Sequence, residues 1–336
     1  MTEQSSNRQL LLRQRPVGLL TRDDLEPVDG PVPELAEGEA LMRTEYVAMD
    51  ATMRSWLNSS DGYLPAVEIG EVVRAATAGH IVATRCPAYE VGDKVTSLTG
   101  AQQYGVVRDD VFTTKLRPDM DLQALFALYN SSGVTAYVGT LDVGALQAGE
   151  TFVVSAAAGS TGSIAGQIAK IRGARVVGIA GSAEKCRYVV EELGFDACID
   201  HRSDDLAAAL REHCPKRVDV YFDNVGGRVL DAVLGRLAMH ARVVLCGAIS
   251  VYNDTHKPPG PANYLNLIQQ RARMEGFIAF DSWGRYDEIC DQLRVWVDEG
   301  RMKWRAHVHD GLDATVDALN SLFTGDNIGK VMVRVE

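Results

Sequence analysis

The spacing of apolar positions along the chain changes at about residue 124. Before that point, short strand-like runs alternate with turn residues, at Ala40–Val47, Glu68–Val73, Gly79–Thr84 and Lys94–Leu98. From residue 124 the apolar positions recur at helical spacing, and from residue 151 apolar runs, glycine turns and helical stretches follow one another. The pattern predicts a β-rich, barrel-like region, followed by a region in which strands and helices alternate.

In the second region we predict five strands and two intervening helices. The helices cover residues 163–172 and 184–193, and the strands are Thr151–Ala157, Ala174–Ala180, Ala197–Ile199, Val218–Asp223 and Ala241–Cys246. Strands that are apolar almost throughout are typical of a parallel sheet with helices on both faces. The segment 297–336 returns to a helix and a strand, which we expect to pack on the first region. The predicted fold class is therefore α/β, with boundaries near 1–123, 124–296 and 297–336.

A glycine-rich segment, Ala156–Lys170, stands between the first strand and the first helix of the alternating region. Here Gly159 allows a tight turn, Gly162 lets the backbone approach a pyrophosphate, and Gly166 permits close packing of helix on sheet. The free N–H groups of the helix start would bind the phosphates. The spacing is G-x-x-G-x-x-x-G rather than the usual G-x-G-x-x-G, so a tight turn without a ligand is the alternative. The strand-loop-helix setting favours dinucleotide binding.

The end of the next strand indicates which dinucleotide is bound. An NAD site usually places a carboxylate there for the ribose 2′-hydroxyl, whereas this chain has Ala180-Gly181-Ser182. Lys185 follows one turn into the helix, and Arg202 comes after the third strand. A small neutral loop with a nearby ammonium group suits a 2′-phosphate, so we predict NADP(H) rather than NAD(H). The alternative is that Lys185 is a solvated helix lysine.

This chain lacks the catalytic residues of other classes of dehydrogenase. The chain has no Tyr-x-x-x-Lys pair, which removes the short-chain dehydrogenase acid. Ile69 precedes Gly70-Glu71 where a zinc-ligating His would stand, a four-Cys zinc lobe is absent, and His307 and His309 have no further ligands close by in sequence. We therefore predict no metal, and expect a hydroxyl donor to stabilise charge during hydride transfer.

The composition of the chain argues against several kinds of binding partner. With 34 Lys and Arg against 45 Asp and Glu, the net charge of −11 opposes a nucleic-acid or anionic-membrane surface. No apolar run approaches the ~18 residues of a membrane span, and no signal peptide pattern begins the chain, so a cytoplasmic location is expected. Six scattered Cys with no Cys-x-x-Cys pair suit reduced, mostly buried thiols.

Several segments together carry a family resemblance, notably Gly133–Tyr137, Val177–Lys185, Asp223–Gly227, Cys246–Asn253 and Gly325–Lys330. With the Ala156–Lys170 segment, they make the chain similar, almost from end to end, to the zinc-independent branch of the medium-chain dehydrogenases/reductases. This branch contains prostaglandin and leukotriene B4 reductases, plant alkenal reductases and bacterial curcumin reductase. The last of these groups looks most similar.

The resemblance implies a GroES-like, β-rich substrate domain over 1–123 and 297–336, and a Rossmann domain binding NADPH over 124–296. It also implies reduction of the C=C bond of a small-molecule α,β-unsaturated ketone or aldehyde, and a homodimer. Tyr252 would donate a hydrogen bond to the carbonyl oxygen, with Tyr63 as a second candidate. The alternatives are that Tyr252 only closes over the cofactor and that Tyr63 is wall packing.

The cofactor-binding residues expected from the loop chemistry and from this resemblance lie at the ends of the parallel strands, apart from one near the C-terminus. They are Gly159, Ser160, Thr161, Gly162, Gly181, Ser182, Lys185, His201, Asn224, Cys246, Gly247, Ala248, Ile249, Ser250, Tyr252, Phe277, Ile278, Ala279 and Asn327. For Cys246 the alternative is that its backbone, not its sulfur, lines the cofactor. For Asn224 it is a plain turn residue before two glycines.

Three departures from the family pattern concern the substrate pocket and the phosphate site. The family usually has Asp-Pro-Tyr-Met-Arg where this chain has Asp50–Arg54, with Ala51 and Thr52 in the second and third places. It commonly has Gly-Met-Pro-Gly where this chain has Asn130–Gly133, and many animal members have Tyr in place of His201. Two other functions stay open on this basis: an NADPH:quinone reductase, and a non-catalytic NADPH-binding protein.

Overall fold

In the computed structural model, which describes residues 6–59, 62–256 and 258–335, the chain forms two compact units. Unit 1 comprises the described residues up to Leu125 and from Ala306 onward, and unit 2 is Phe126–Arg305. The assignment of substrate binding to one domain and cofactor binding to the other stays a prediction. Within the described ranges, no helix is both long and apolar enough to cross a bilayer.

Strands predominate in unit 1, whereas strands and helices alternate in unit 2. The strands are β1 (Asn7–Leu12), β2 (Leu25–Gly30), β3 (Glu39–Ala48), β4 (Thr77–Thr84), β5 (Lys94–Ser97), β6 (Tyr104–Arg108), β7 (Thr114–Lys115), β8 (Thr151–Ser155), β9 (Arg175–Ala180), β10 (Ala197–Asp200), β11 (Val218–Asp223), β12 (Leu237–Leu245), β13 (Arg273–Gly276), β14 (Ala306–Asp310) and β15 (Lys330–Arg334). The helices are α1 (Thr52–Trp56), α2 (Leu122–Ala124), α3 (Ser131–Tyr137), α4 (Ser160–Ile171), α5 (Ala183–Arg187), α6 (Leu206–His213), α7 (Gly227–Leu234), α8 (Asn266–Gln270), α9 (Tyr286–Asp298) and α10 (Thr315–Thr324). Wider π-helical turns extend three helical stretches, at Leu125–Tyr129, Val138–Val143 and Tyr188–Glu192.

Unit 1 is built on a seven-stranded sheet of order β14-β15-β3-β4-β5-β7, with β6 also paired to β3, beside a separate β1-β2 ladder. The helix and strand predicted near the C-terminus are α10 and β15. β15 runs antiparallel to β3, with Met332 opposite Ala48, so the chain does return to its first region. Val331 and Val333 of β15 are fully buried in the core of this unit. The parallel neighbour β14 was not predicted.

One strand predicted in unit 1, Glu68–Val73, is wrong. The segment forms a tight turn, in which the Glu71 backbone N–H donates to the Glu68 carbonyl over 3.0 Å, and Gly70 has a φ of +91°. Only Val72 makes a bridge, with Leu11. The alternation of apolar and polar residues resembles that of a strand, but the left-handed glycine reverses the chain before a ladder can form.

Unit 2 is built on a six-stranded sheet of order β10-β9-β8-β11-β12-β13, in which every pairing is parallel. This is the strand order of a Rossmann fold, with the order reversing between β8 and β11. The sequence predicted the five strands from β8 to β12. It did not predict β13, α6 or α7. Ligands of such sheets bind at the carboxyl ends of the strands, beside the point of reversal.

Helix α4 lies very close to the segment that leads into β10. A Cβ on Gly166 would stand 2.0 Å from Cζ of Phe195 and 2.5 Å from its Cε2. No side chain fits in that space while the ring keeps its place. The predicted role of Gly166, close packing of the helix, therefore has a specific partner in the Phe195 ring.

We expect Gly166→Ala to lower the free energy of unfolding by about 1–3 kcal/mol, because the new methyl group overpacks the core against the Phe195 ring. Urea or thermal denaturation measures the change. Combining it with Phe195→Leu should restore part of the lost stability, because the smaller side chain leaves room for the methyl group at position 166. Gly284→Ala is a matched control because a Cβ there meets nothing within 4 Å. A Gly166→Ala protein as stable as the wild type would contradict the packing role.

Candidate active site

The glycine loop between β8 and α4 leaves the start of the helix open to a ligand. Gly159 is the N-cap residue of α4, and no side chain caps the helix. The first-turn N–H groups, those of Ser160, Thr161 and Gly162, can therefore bind an anion. A Cβ on Gly162 would lie 2.3 Å from the carbonyl oxygen of Ala156, so this position admits only glycine. The loop fits the pyrophosphate of a dinucleotide.

A second contact ties this loop to one of the departures from the family pattern. The Ser160 hydroxyl donates a hydrogen bond to the hydroxyl of Ser132 over 2.8 Å. Ser132 is buried in the first turn of α3, within the Asn130–Gly133 segment. The hydroxyl that replaces an apolar side chain of the family thus has a partner in the loop, a pairing that sequence reasoning missed.

The carboxyl ends of β9 and β10 form a small cationic region. A Cβ on Gly181 would lie 3.2 Å from Nε2 of His201 and 3.4 Å from Nε of Arg202. Ser182 caps α5, its hydroxyl accepting from the Lys185 backbone N–H over 3.3 Å. Burial and the neighbouring Arg202 charge lower the pKa of His201, so the imidazole is neutral at neutral pH. Arg202 beside this loop of small neutral residues, with Lys185 in the helix that follows, fits a 2′-phosphate.

Asp223, at the end of β11, organises the centre of the site. Its Oδ1 accepts hydrogen bonds from the hydroxyls of Ser155 (3.1 Å) and Tyr221 (2.7 Å) and from the backbone N–H groups of Val225 (3.0 Å) and Gly226 (3.0 Å). Its Oδ2 is buried without a hydrogen-bond partner. Burial raises the pKa of the carboxyl group, in opposition to the donated hydrogen bonds, which lower it. Asp223 therefore fixes the turn that follows β11.

We expect Asp223→Ala to lower the free energy of unfolding by about 3–5 kcal/mol, because it leaves several buried donors without an acceptor. Asp223→Asn should cost less, since its amide oxygen can accept from the same donors without a buried charge. Urea denaturation compares the two variants. Equal losses for Asn and Ala would contradict the proposed organising role of Oδ1.

The turn after β11 is joined to the turn after β12. Asn224 donates from Nδ2 to the Ser155 carbonyl over 2.7 Å, and its own carbonyl accepts from the Ile249 N–H over 3.2 Å. The Ser250 hydroxyl donates to the Val225 carbonyl over 2.6 Å. These bonds place residues 246–252 directly beside residues 224–227, at the carboxyl ends of adjacent parallel strands.

Tyr252 is held inside this second turn. Its hydroxyl oxygen accepts from the Ala248 N–H over 3.1 Å and lies 3.2 Å from where a Cβ of Gly247 would be. A tyrosine hydroxyl can accept one hydrogen bond and donate another. Burial raises the pKa of Cys246 to about 12, so its thiol stays protonated. This favours the interpretation in which the backbone of Cys246, not its sulfur, lines the site.

The remaining predicted residues of unit 2 follow β13. The Phe277 ring lies edge-on to that of Phe222, with centroids 6.4 Å apart. Ile278 is partly exposed, and Ala279 begins a 3-10 helix that runs to Arg285. Unit 2 therefore has the glycine loop, the cationic region and the turns after β11 and β12 at the carboxyl ends of its strands.

Two predicted residues belong to unit 1. Tyr63 has a ring edge-on to Trp56, with centroids 6.2 Å apart. Asn327 is buried and donates from Nδ2 to the Gly329 carbonyl over 3.1 Å. Trp56, whose Nε1 is buried without a hydrogen-bond partner, was not singled out from the sequence. The sequence signal that could have identified Trp56 is its position as an aromatic residue directly after the altered Asp50–Arg54 segment.

Comparison with known proteins places this arrangement in a family. A family profile described as the N-terminal domain of oxidoreductase matches residues 8–114, and one described as zinc-binding dehydrogenase matches residues 160–294. The NADPH-dependent curcumin reductase of Escherichia coli (strain K12) is 39% identical over 339 residues, covering 99% of this chain and 98% of that protein. The chain belongs to the zinc-independent medium-chain dehydrogenases/reductases. It is a curcumin-reductase-like oxidoreductase of this family.

Two further members of the medium-chain dehydrogenases/reductases agree. The 2-alkenal reductase (NADP(+)-dependent) of Nicotiana tabacum is 33% identical, covering 100% of this chain and 99% of that protein. The crystal structure of CurA from Vibrio vulnificus in complex with NADPH has a TM-score of 0.92 and 38% identity, covering 98% of this chain and 99% of that one. The resemblance seen in the sequence and the predicted fold class are confirmed.

The name of the second profile mentions zinc, as the wider family of medium-chain dehydrogenases/reductases includes zinc enzymes. Among the residues described, no three His, Cys, Asp or Glu side chains come together in a way that could hold a metal ion. The rings of His307 and His309 of β14 are tilted by 32° to each other with centroids 5.0 Å apart, and no third ligand joins them among the described residues.

Proposed function

We propose that this protein uses NADPH to reduce the C=C bond of α,β-unsaturated ketones or aldehydes. The observation that carries the proposal is the site itself: an uncapped, glycine-lined helix start, two charged side chains and a tyrosine hydroxyl, all in segments that follow the carboxyl ends of the parallel strands. The names of the full-length relatives, a curcumin reductase and a 2-alkenal reductase, support the same reaction.

Within this proposal, the chain holds the cofactor through backbone groups and a few side chains. The first turn of α4 binds the pyrophosphate, while Lys185, His201 and Arg202 surround the 2′-phosphate. Asn224 and residues 246–252, with Phe277–Ala279 and Asn327, enclose the ribose and nicotinamide parts. Because the protein carries a net charge of −11, these local donors have to supply the phosphate affinity.

Tyr252 acts on the substrate in this proposal. When bound, NADPH supplies the hydride that is added to the β-carbon of the substrate. Negative charge then develops on the carbonyl oxygen, and the Tyr252 hydroxyl donates a hydrogen bond to it, stabilising the transition state more than the ground state. The Ala248 N–H holds the Tyr252 oxygen in the turn. Tyr63 is a second candidate donor.

Oxidation of NADPH in the presence of enones, enals and quinones tests the proposed function. We expect turnover of enones and enals, with mass spectrometry showing the saturated carbonyl product. Turnover of quinones alone would replace the proposal with quinone reduction. Binding of NADPH without turnover of any compound in the panel would replace it with a non-catalytic role.

We expect Lys185→Ala to raise the Kd for NADPH by about 10- to 100-fold, as the loss of one charge-assisted hydrogen bond to the 2′-phosphate does. The Kd for NADH should stay the same, because NADH lacks that phosphate. Titration of the protein with each dinucleotide, followed by fluorescence, measures both constants. Lys216→Ala, at an exposed lysine of the same unit, is the control. An equal effect on NADH and NADPH would overturn the assignment.

A homodimer is part of the proposal. The edge strand β13 and the exposed apolar side chains in the segment that precedes it support one, since Leu265 is 52% and Ile268 73% exposed. Light scattering coupled to size-exclusion chromatography measures the mass in solution. A single chain mass at micromolar concentration would contradict the dimer. The cytoplasmic location also stays a prediction.

A further inference from the structure

Two serine hydroxyls meet where the start of α3 contacts the glycine loop. The Ser160 hydroxyl, in the first turn of α4, donates to the Ser132 hydroxyl, in the first turn of α3, over 2.8 Å. The Ser132 side chain is buried, with 3% of the residue exposed. Both residues belong to unit 2, so the contact lies within one compact unit. Ser132 is therefore a buried hydroxyl directly beside the loop that fits a pyrophosphate.

The backbone around Ser132 holds this hydroxyl in place. Asn130 caps α3, because its Oδ1 accepts from the following backbone N–H over 2.6 Å. A Cβ on Gly133 would stand 1.8 Å from the carbonyl oxygen of Leu128, so the first turn of α3 lies directly against the preceding helical turn. A capped start and a backbone contact this close leave Ser132 little freedom to move.

The direction of the hydrogen bond between the two serines leaves the Ser132 proton over. A serine hydroxyl carries one proton and can accept a hydrogen bond while it donates another. In this pair Ser160 donates and Ser132 accepts, so the Ser132 proton points to a different acceptor. In the part of the chain that the structure describes, Ser132 donates to no acceptor. A buried donor without an acceptor costs free energy, so a bound ligand that supplies the acceptor is favoured.

The start of α4 indicates the chemistry of that acceptor. The free N–H groups of the first turn of this 12-residue helix favour an anion. Because Ser132 is bonded to a residue of that turn, an anion held there lies beside its hydroxyl. A hydroxyl that accepts one hydrogen bond donates its own proton more strongly, and hydrogen bonds to charged acceptors are the strong ones. The charged oxygens of a pyrophosphate fit this position.

We propose that Ser132 donates a hydrogen bond to the pyrophosphate of NADPH, at the end of a chain that runs from the Ser160 hydroxyl through the Ser132 hydroxyl to a phosphate oxygen. This role rests on the proposed function, in which the first turn of α4 binds the pyrophosphate. Ser132 is the third residue of the Asn130–Gly133 segment, where the family commonly has proline, which has no side-chain donor. This chain therefore has a phosphate-binding side chain that such relatives lack.

Binding titrations of Ser132→Ala by calorimetry test this role. We expect the Kd for NADPH to rise by about 10- to 100-fold, the usual cost of losing one hydrogen bond to a charged group. The Kd values for NADH and for 2′-phospho-ADP-ribose should rise by the same factor, since both contain the pyrophosphate and the second has no nicotinamide. Ser132→Cys keeps a side chain of similar size but donates weakly, so it should resemble Ser132→Ala.

A matched control removes a buried hydroxyl elsewhere. Ser321 in α10 of unit 1 is 8% exposed, and its hydroxyl donates to the Ala318 carbonyl of the same helix. Ser321→Ala should change none of the three dissociation constants. Circular dichroism shows whether each variant is folded.

Phosphorus NMR of bound NADPH separates a direct contact from a structural effect. In Ser132→Ala a pyrophosphate resonance should shift, while the resonance of the 2′-phosphate stays in place. Ser160→Ala should weaken NADPH binding less than Ser132→Ala does, because it removes only the group that polarises the Ser132 hydroxyl. The double variant should bind as Ser132→Ala does, since Ser160 acts through Ser132.

Unchanged dissociation constants for Ser132→Ala would overturn the proposed contact. An effect on NADPH and NADH that 2′-phospho-ADP-ribose does not show would also overturn it, because the acceptor would then lie on the nicotinamide. An equal shift of the pyrophosphate and 2′-phosphate resonances would replace the contact with a structural effect. If Gly162→Ala weakens NADPH binding and Ser132→Ala does not, this inference alone is wrong. If neither variant weakens it, the proposed site at α4 is wrong as well.

Discussion

Gly162→Ala should raise the Kd for NADPH by at least about 100-fold. A methyl group at this position would lie 2.3 Å from the carbonyl oxygen of Ala156 and 2.9 Å from its carbonyl carbon, so the loop has to move away from the start of α4. Such a movement misaligns the first-turn N–H groups. Losing two hydrogen bonds to a charged phosphate, at about 1.5–3 kcal/mol each, accounts for an effect of this size.

Isothermal titration calorimetry with NADPH measures this constant without any substrate. Gly284→Ala is the matched control, because it replaces another helical glycine of the same unit at which a Cβ meets nothing within 4 Å. Circular dichroism shows whether the variant is folded. A folded Gly162→Ala protein that binds NADPH as the wild type does would remove the glycine loop from the proposed cofactor site.

Tyr252→Phe should lower kcat for an enone by about 100-fold, the usual cost of removing one hydrogen-bond donor to a developing oxyanion. The Kd for NADPH should change by less than about threefold, because the phenyl ring still fills the turn and the bond from the Ala248 N–H contributes little to cofactor binding. Steady-state kinetics at saturating NADPH and a separate binding titration provide the two values.

Whether Tyr252→Phe changes kcat or the Kd for NADPH decides the role of Tyr252. A large rise in Kd with unchanged kcat would mean that the tyrosine only closes over the cofactor, and would overturn its role as donor. Tyr264→Phe removes a hydroxyl from an exposed position of the same unit and should leave kcat unchanged. The comparison thus separates a loss of chemistry from a general effect of removing a tyrosine hydroxyl.

The parallel sheet could be predicted from the sequence because its central strands are buried on both faces and are therefore apolar along most of their length, as β8 and β11 are. The strand β13 was missed because its sequence, Arg-Met-Glu-Gly, has almost no apolar residues, as suits an exposed edge. At Glu68–Val73 the sequence predicted a strand that does not form, for the opposite reason. Its alternating pattern fits a strand, and one glycine conformation prevents it.

The glycine positions of the site could also be predicted, since a strand, a glycine loop and a helix are adjacent in sequence. The hydrogen bonds around Asp223 could not be. Ser155 and Asp223 are 68 residues apart, and Ser160 and Ser132 are 28 apart, so their pairing depends on strand order and helix packing. Sequence periodicity contains no information on such long-range contacts.

The return of β15 to unit 1 has a consequence for how the chain folds during synthesis. Phe126–Arg305 is one uninterrupted segment, so its sheet can assemble as soon as that segment has left the ribosome. Unit 1 is different, because the Tyr46–Ala48 end of β3 pairs with β15, near the C-terminus. That strand edge and the core that Val331 and Val333 complete stay exposed while all of unit 2 is made. Completion of unit 1 is therefore a late, long-range step, and the nascent chain is most open to aggregation just before it.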